Sequence, residues 1–258
     1  MKKIVYILSF FSIFLYSNEL QDAIDNAPSG SKITLAEGIY KGNIVINKPL
    51  IIDGVNKKAR VVGDGDSSVI TIKSSNVVIK NLTIENSGFS VEKVDSAIHA
   101  KEVNSITIEN NHIEDTLFGI NIEQVNRSKV IDNFITSKDL ELGVRGDAIR
   151  LWSSHDNQLL SNKIYKSRDF VLWYSSGNNI ENNYGSYNRY SLHFMYAGRN
   201  MVRNNFFEYN SVGIFFMYSS GTIAIGNTVK NSLGAFGVGI GMKDSSDFTL
   251  LENNLIYN

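Results

Sequence analysis

The strongest constraint on this chain is an internal period near 22 residues. An asparagine follows a short apolar stretch at Asn81, Asn111, Asn133, Asn162, Asn183, Asn205, Asn227 and Asn254. The successive spacings are 30, 22, 29, 21, 22, 22 and 27 residues. A second marker runs in phase: Ile98, Ile120, Ile149, Val171, Leu192, Ile214 and Ile240, each opening a short alternating run. A local period of two is that of a strand. Helical repeats are longer and carry a 3.6 period. The leucine-rich repeat is near in length, but its consensus does not fit these coils. The expected fold is all-β, a right-handed parallel β-helix (solenoid) with one coil per repeat, since parallel crossovers are nearly always right-handed. Equivalent residues then stack about 4.8 Å apart. The asparagines are expected at a corner, satisfying turn backbone and one another rather than serving an active site.

The termini differ from the repeats. Lys2 and Lys3 precede an apolar run from Ile4 to Tyr16, and Ser17 follows. That order is a secretory signal peptide over 1–17, with a run too short for a comfortable membrane span. Export leaves 18–258 as the β-helix domain. Glu19 to Ala27 reads as a short amphipathic N-terminal capping helix with Leu20, Ala23, Ile24 and Ala27 on one face. Early strands are expected at 32–35, 43–46, 50–53 and 69–72. Leu255 to Asn258 stops in mid-coil, so the solenoid is expected to be truncated at its C-terminal end.

Composition narrows the chemistry. The 258 residues carry a formal charge of −1, which argues against a nucleic-acid partner. There is no cysteine, so disulfide-linked partners, thiolate metal sites and cysteine nucleophiles are excluded.

The long coils lengthen at one point. From corner asparagine to the next marker is 9 residues after Asn111, Asn162, Asn183 and Asn205, but 17 after Asn81, 16 after Asn133 and 13 after Asn227. Insertions at 86–95, 137–143 and 233–237 are therefore expected to project from one edge, as repeat proteins often build a binding face. On the adjoining strand, the residue three after each marker points outward. That line reads Trp152, Tyr174, Met195 and Met217, with Ser175, Tyr196 and Tyr218 beside it. An exposed apolar stripe of this kind marks a partner surface, here Trp152, Tyr174, Tyr196 and Tyr218.

These residues carry a resemblance. Leu20-Gln21-Asp22-Ala23-Ile24 and Gly38-Ile39-Tyr40 resemble the broad carbohydrate-binding and sugar-hydrolase β-helix class. More specific are Arg145-Gly146-Asp147-Ala148-Ile149-Arg150-Leu151-Trp152, Leu172-Trp173-Tyr174-Ser175, Arg189-Tyr190-Ser191-Leu192-His193-Phe194-Met195-Tyr196 and Phe216-Met217-Tyr218-Ser219. Together they are similar to the NosD family of periplasmic maturation factors for nitrous oxide reductase. The resemblance implies a periplasmic accessory role in assembling the reductase's copper-sulfur cluster. It implies an ABC transporter ATPase and its membrane subunit, nitrous oxide reductase and a copper chaperone lipoprotein as partners.

Three site expectations follow from the residues. His193 and Met195 share a strand face, and Met217 lies 22 residues beyond Met195. Imidazole plus two thioethers is a soft donor set suited to copper as Cu(I). Asp147 and Asp169, also 22 apart, are expected as a charged ladder neutralised by Arg150, Arg168 and Arg189. No catalytic residue is assigned, because arginines around a carboxylate depress the pKa a general acid needs raised. The alternative reading is a polysaccharide-binding or polysaccharide-cleaving β-helix protein, since fold alone does not separate them.

Overall fold

The computed structural model describes residues 4–7, 19–234, 237–245, 247 and 249–257. The chain winds through three parallel sheets of eleven, ten and nine strands, visited in the same order on each coil. Lys32–Leu35 lies in the first sheet, Gly38–Lys41 in the second and Ile44–Ile46 in the third. The strands are short, and their inward residues are isoleucine, valine and leucine. In the later coils phenylalanine joins them: Phe170, Phe194, Phe207 and Phe216 are fully buried, and Phe194 stacks on Phe216 at 5.0 Å. β-branched and aromatic side chains suit a pleated surface buried on its inner side.

The marker column is Ile98, Ile120, Ile149, Phe170, Leu192, Ile214 and Ile240. Phe170, not Val171, stands opposite Ile149. The coil holding Phe170 is one residue shorter before its strand. The next strand, Tyr190–Met195, restores the phase with a bulge, where Asp169 pairs with Tyr190 but Val171 pairs with His193. Counting back from the asparagines finds the same answer: 13 residues separate Phe170 from Asn183, as 13 separate Ile149 from Asn162. Asn81 is likewise one residue out. It occupies a left-handed turn position beside Asn110, and Leu82 takes the ladder place.

The asparagine ladder is continuous from Asn111 through Asn133, Asn162, Asn183, Asn205 and Asn227 to Asn254. Each side-chain nitrogen donates to the next side-chain oxygen at 2.8–3.0 Å. Each oxygen also accepts the backbone N–H of the residue below, and each nitrogen donates to a carbonyl, as Asn162 does to Val130. One side chain thus satisfies the corner's buried backbone groups, which would otherwise be costly. Two shorter ladders occupy the other corners: Asn157–Asn178–Asn200 and Asn188–Asn210. Their spacing was present in the sequence but masked by the longer series.

Helix Glu19–Asn26 covers the first coil with Leu20 and Ile24 buried. Gln21 closes the open edge of Ile44–Ile46: its amide accepts from Val45 N at 2.7 Å and donates to Val45 O at 3.1 Å. Ile4–Ile7 runs as a strand beside Lys32–Leu35. Residues 1–3 and 8–17 of the expected export signal lie outside the described residues.

Replacing Asn162 with alanine should cost about 3 kcal/mol, because buried partners on both neighbouring coils lose their bonds. The same change at half-buried Asn254 should cost clearly less. Chemical denaturation of the two variants checks the ranking, and equal losses would contradict the ladder as the source.

Candidate functional site

All three insertions leave the second sheet and enter the third. They separate Leu82–Glu85 from Ser96–Lys101, Phe134–Ser137 from Ile149–Trp152, and Thr228–Lys230 from Val238–Lys243. Residues 235–236 of the third insertion lie outside the described residues. The first two insertions brace each other: Lys138, almost fully buried, donates to Asp115 O at 3.1 Å and sits 4.3 Å over the Phe89 ring. The edge beside the third sheet is therefore built up by ordered loops.

Two outward columns cross that sheet. The outer one is Lys101, Glu123, Trp152, Trp173, Met195, Met217 and Lys243. The spacing from Ile149 to Val171 places Tyr174 in it. The shorter coil puts Trp173 there instead and moves Tyr174 to the turn. Tyr174, Tyr196 and Tyr218 occupy successive turns, with φ of 50°, 50° and 51°. A left-handed conformation costs a non-glycine residue about 1–2 kcal/mol. The rings recover part of it by stacking, worth about 0.5–1.5 kcal/mol a pair. Tyr174 lies 5.4 Å from Tyr196 at 7°, and Tyr196 lies 4.8 Å from Tyr218 at 10°. Trp152 contacts Trp173 at 5.7 Å and Tyr174 at 5.2 Å. Tyr174 and Tyr196 remain 44% and 48% exposed, too much for packing alone to explain them.

The inner column is His99, Asn121, Arg150, Val171, His193 and Phe215. It is outward on the sheet yet largely covered. Asn121 is fully buried, accepts from Arg150 Nη1 at 2.8 Å and leaves its own Nδ2 unpartnered. Burial pushes the His99 imidazole below its ordinary pKa.

Met195 and Met217 are register neighbours on the half-exposed outer column. His193 is not presented with them. It is 6% exposed, stacks on Tyr190 at 4.6 Å and sets Nδ1 3.7 Å from Asp169 Oδ2. The ring is thus drawn toward Asp169, at the N-terminal end of the neighbouring strand. Among the described residues, no group of three or more His, Asp or Glu side chains forms a metal site.

Asp147 and Asp169 are both 2% exposed but do not share a register position. With Ile149 opposite Phe170, Asp169 lies beside Ala148 and Arg168 beside Asp147. Arg168 Nε donates to Asp147 at 2.9 Å, and Arg189 Nε donates to Asp169 at 2.9 Å with a second bond through Nη2. Arg150 turns to Asn121 instead. The two carboxyls are shifted in opposite directions. Burial, and then the Asp169 charge, push Asp147 up despite Arg168. Burial also pushes Asp169 up, but His193 and Arg189 outweigh it and hold that carboxyl low.

A carboxylate held low stabilises the fold above its unfolded pKa, and that contribution is lost as pH falls through the folded value. Asp169→Asn should therefore lose about 1–3 kcal/mol at pH 7, the range for unpartnering buried groups. The gap to the parent should narrow as pH drops below 3.8, the ordinary aspartate value. Denaturation midpoints across that range test it, and a pH-independent gap would refute it.

Comparison with known proteins agrees with this architecture. Residues 67–191 match the family model of the right handed beta helix region, and residues 133–258 match that of the periplasmic copper-binding protein (NosD). A search of curated proteins gave no match. Among solved structures, the family 28 exopolygalacturonase of Yersinia enterocolitica aligns over 100% of this chain and 66% of its own, with TM-score 0.75 and 12% identity. An alginate lyase from a Paenibacillus species covers 93% of this chain and 94% of its own, with TM-score 0.68 and 15% identity. The Streptococcus pneumoniae surface protein and adhesin PfbA covers 93% and 92%, with TM-score 0.64 and 11% identity. At such identities these likenesses speak for the fold alone. The matched coils from residue 133 onward include the Asp–Arg pairs, the stacked tyrosines and the methionine pair, and over these coils the chain is similar to the family described as periplasmic copper-binding protein (NosD).

Proposed function

We propose that this chain is a non-catalytic periplasmic accessory protein for assembly of the copper-sulfur cluster of nitrous oxide reductase. It works beside an ABC transporter, and its third-sheet face meets the reductase or the copper chaperone lipoprotein. The observation that carries this reading is the register pair Met195–Met217, set between Trp173 and the stacked Tyr196 and Tyr218. Methionine and aromatic side chains together make an adaptable apolar contact surface. Two thioethers are soft ligands for Cu(I) but an incomplete set. Copper is here the cargo. The pair offers two ligands in passing, and the partner supplies the rest. His193, held by Asp169 and Tyr190, positions the strand rather than binding the metal.

The family description supports the periplasmic and copper-related parts of this reading. The polysaccharide-cleaving alternative is disfavoured by the site. Asp147 and Asp169 are covered and ion-paired, so a sugar chain on the sheet face does not reach either carboxyl.

Met195→Leu/Met217→Leu keeps bulk and removes both sulfurs. Cu(I) affinity should fall at least about tenfold, or 1.4 kcal/mol. Copper loading of co-expressed reductase should fall while the thermal midpoint stays within about 2 °C of the parent, as expected for a half-exposed, volume-conserving swap. Normal loading by the double variant would limit this face to docking. Recovery of neither transporter nor reductase in a periplasmic pull-down with the parent protein would sink the wider proposal.

A further inference from the structure

Two surface grooves lie away from the third sheet. One, of about 590 Å³, follows the corner between the first and second sheets and is lined by Lys57, Lys80, Asn81, Asn110, Asp132 and Ser161, among others. The other, of about 270 Å³, lies on the outer face of the second sheet against Tyr165, Tyr184, Tyr187, Glu208 and Tyr209. Phe134 and Lys163 line both, so the two form one groove. It crosses seven coils from Lys57 to Tyr209, a length of about 29 Å at the strand spacing of about 4.8 Å.

The groove has an internal seat. Phe134, Lys163, Tyr184 and Phe206 follow one another in a single outward column. Phe134 stacks on His112 at 4.9 Å, and Tyr184 stacks on Phe206 at 5.9 Å. Each ring therefore spends one face on the neighbour away from Lys163 and keeps the other toward it. Two strand spacings, about 9.6 Å, separate the rings. A guest in van der Waals contact with both needs about 3.5–4.0 Å to each face, which leaves room for one saturated six-membered ring. Lys163 is exposed and forms no ion pair among the described residues, so its long side chain is free to stand at the edge of that gap.

Polar groups converge on the same place. Glu208 is already ordered: Tyr184 Oη donates to it at 2.8 Å, and Lys230 pairs with it at 3.0 Å. The Ser186 hydroxyl, 1% exposed and without a hydrogen-bond partner, lies among the lining residues. Tyr187 and Tyr209, stacked at 5.5 Å and 45% and 37% exposed, form one wall. Toward the other end the lining is amide, hydroxyl and charge, with Lys57, Lys80 and Lys163 against Glu109 and Asp132.

The guest's class follows from what the groove lacks. An extended peptide gains affinity by adding to an open sheet edge, whereas this groove crosses strands that are paired on both sides. Nucleic acid presents a phosphate at every step and needs a clear basic excess along its whole contact, whereas here Lys57 and Lys80 face Glu109 and Asp132, and the cation at the ring seat is the single Lys163. Ring-sized apolar seats alternating with amides, hydroxyls and a few cations fit a chain of polyhydroxylated rings that bears carboxylates. We propose that this groove binds an acidic oligosaccharide laid along the helix axis, with one pyranose ring between Phe134 and Tyr184 and its carboxylate on Lys163. This site is independent of the third-sheet face and of any role in copper handling.

The test is calorimetric titration of the full chain with hexagalacturonate, polygalacturonate and maltohexaose. Binding of the acidic probes is expected, weakening with salt and exceeding that of maltohexaose. Lys163→Gln and Tyr187→Asn should each lower affinity about tenfold or more, or 1.4 kcal/mol. Asparagine tolerates the left-handed turn at 187, where φ is 57°. Lys129→Gln, which removes an equal charge from the exposed first sheet, should change it little. No binding at millimolar hexagalacturonate would overturn the proposal, as would affinity that both groove variants leave unaltered. Tighter binding of maltohexaose would overturn the acidic assignment. Reductase loading is not a readout here, so failure of this site and failure of the accessory role remain distinguishable.

Discussion

Residues of the described strands stack on their counterparts one coil away, because each strand pairs in parallel with the same strand of the next coil. That pairing leaves the corners as the weak point: the chain must turn there while keeping buried backbone groups bonded. The asparagine ladders resolve it. One amide accepts the backbone N–H of the coil below and donates to a carbonyl and to the next asparagine. Turn residues in the left-handed conformation recur beside them, at Asn110, Asp132, Ser161, Asn182 and Asn204. The core then needs only apolar residues of suitable size at inward positions, and the outer faces are released for other uses.

The architecture was legible because stacking turns spatial proximity into sequence periodicity. The insertions, the asparagine corner and the capping helix with Leu20 and Ile24 all followed from spacing. What failed was phase. Val171 was read for Phe170, Tyr174 for Trp173 and Asn81 for Leu82, each off by one residue. A single-residue slip exchanges the inner and outer faces of a strand, so an error invisible at the level of fold alters the site. The bulge that restores phase at Tyr190–Met195 has no composition of its own, and only the 13 residues from Phe170 to Asn183, a separation shared by five other coils, reveal it. His193 was legible as outward, but its attachment to Asp169 was not, since that contact joins different positions on two coils.

The two faces that carry aromatic rings use them differently. On the third-sheet side, Tyr174, Tyr196 and Tyr218 spend their faces on one another and present edges and hydroxyls, a profile suited to a protein surface. On the second sheet, a lysine interrupts the column and leaves ring faces open between Phe134 and Tyr184. The same repeat geometry thus yields a closed stack or a gap according to one residue per coil.

The bulge between Asp169 and His193 also has a mechanical meaning. The inter-strand hydrogen bonds run along the solenoid axis, so tension applied end to end loads successive coils in series. In a series arrangement the least cooperative joint yields first. A joint where the register shifts, as it does here and between Ile113 and Thr116, is a natural place for the rod to bend. The Asp169–Arg189 pair spans this joint from outside, acting as a side strap across a hinge that the backbone alone would leave soft.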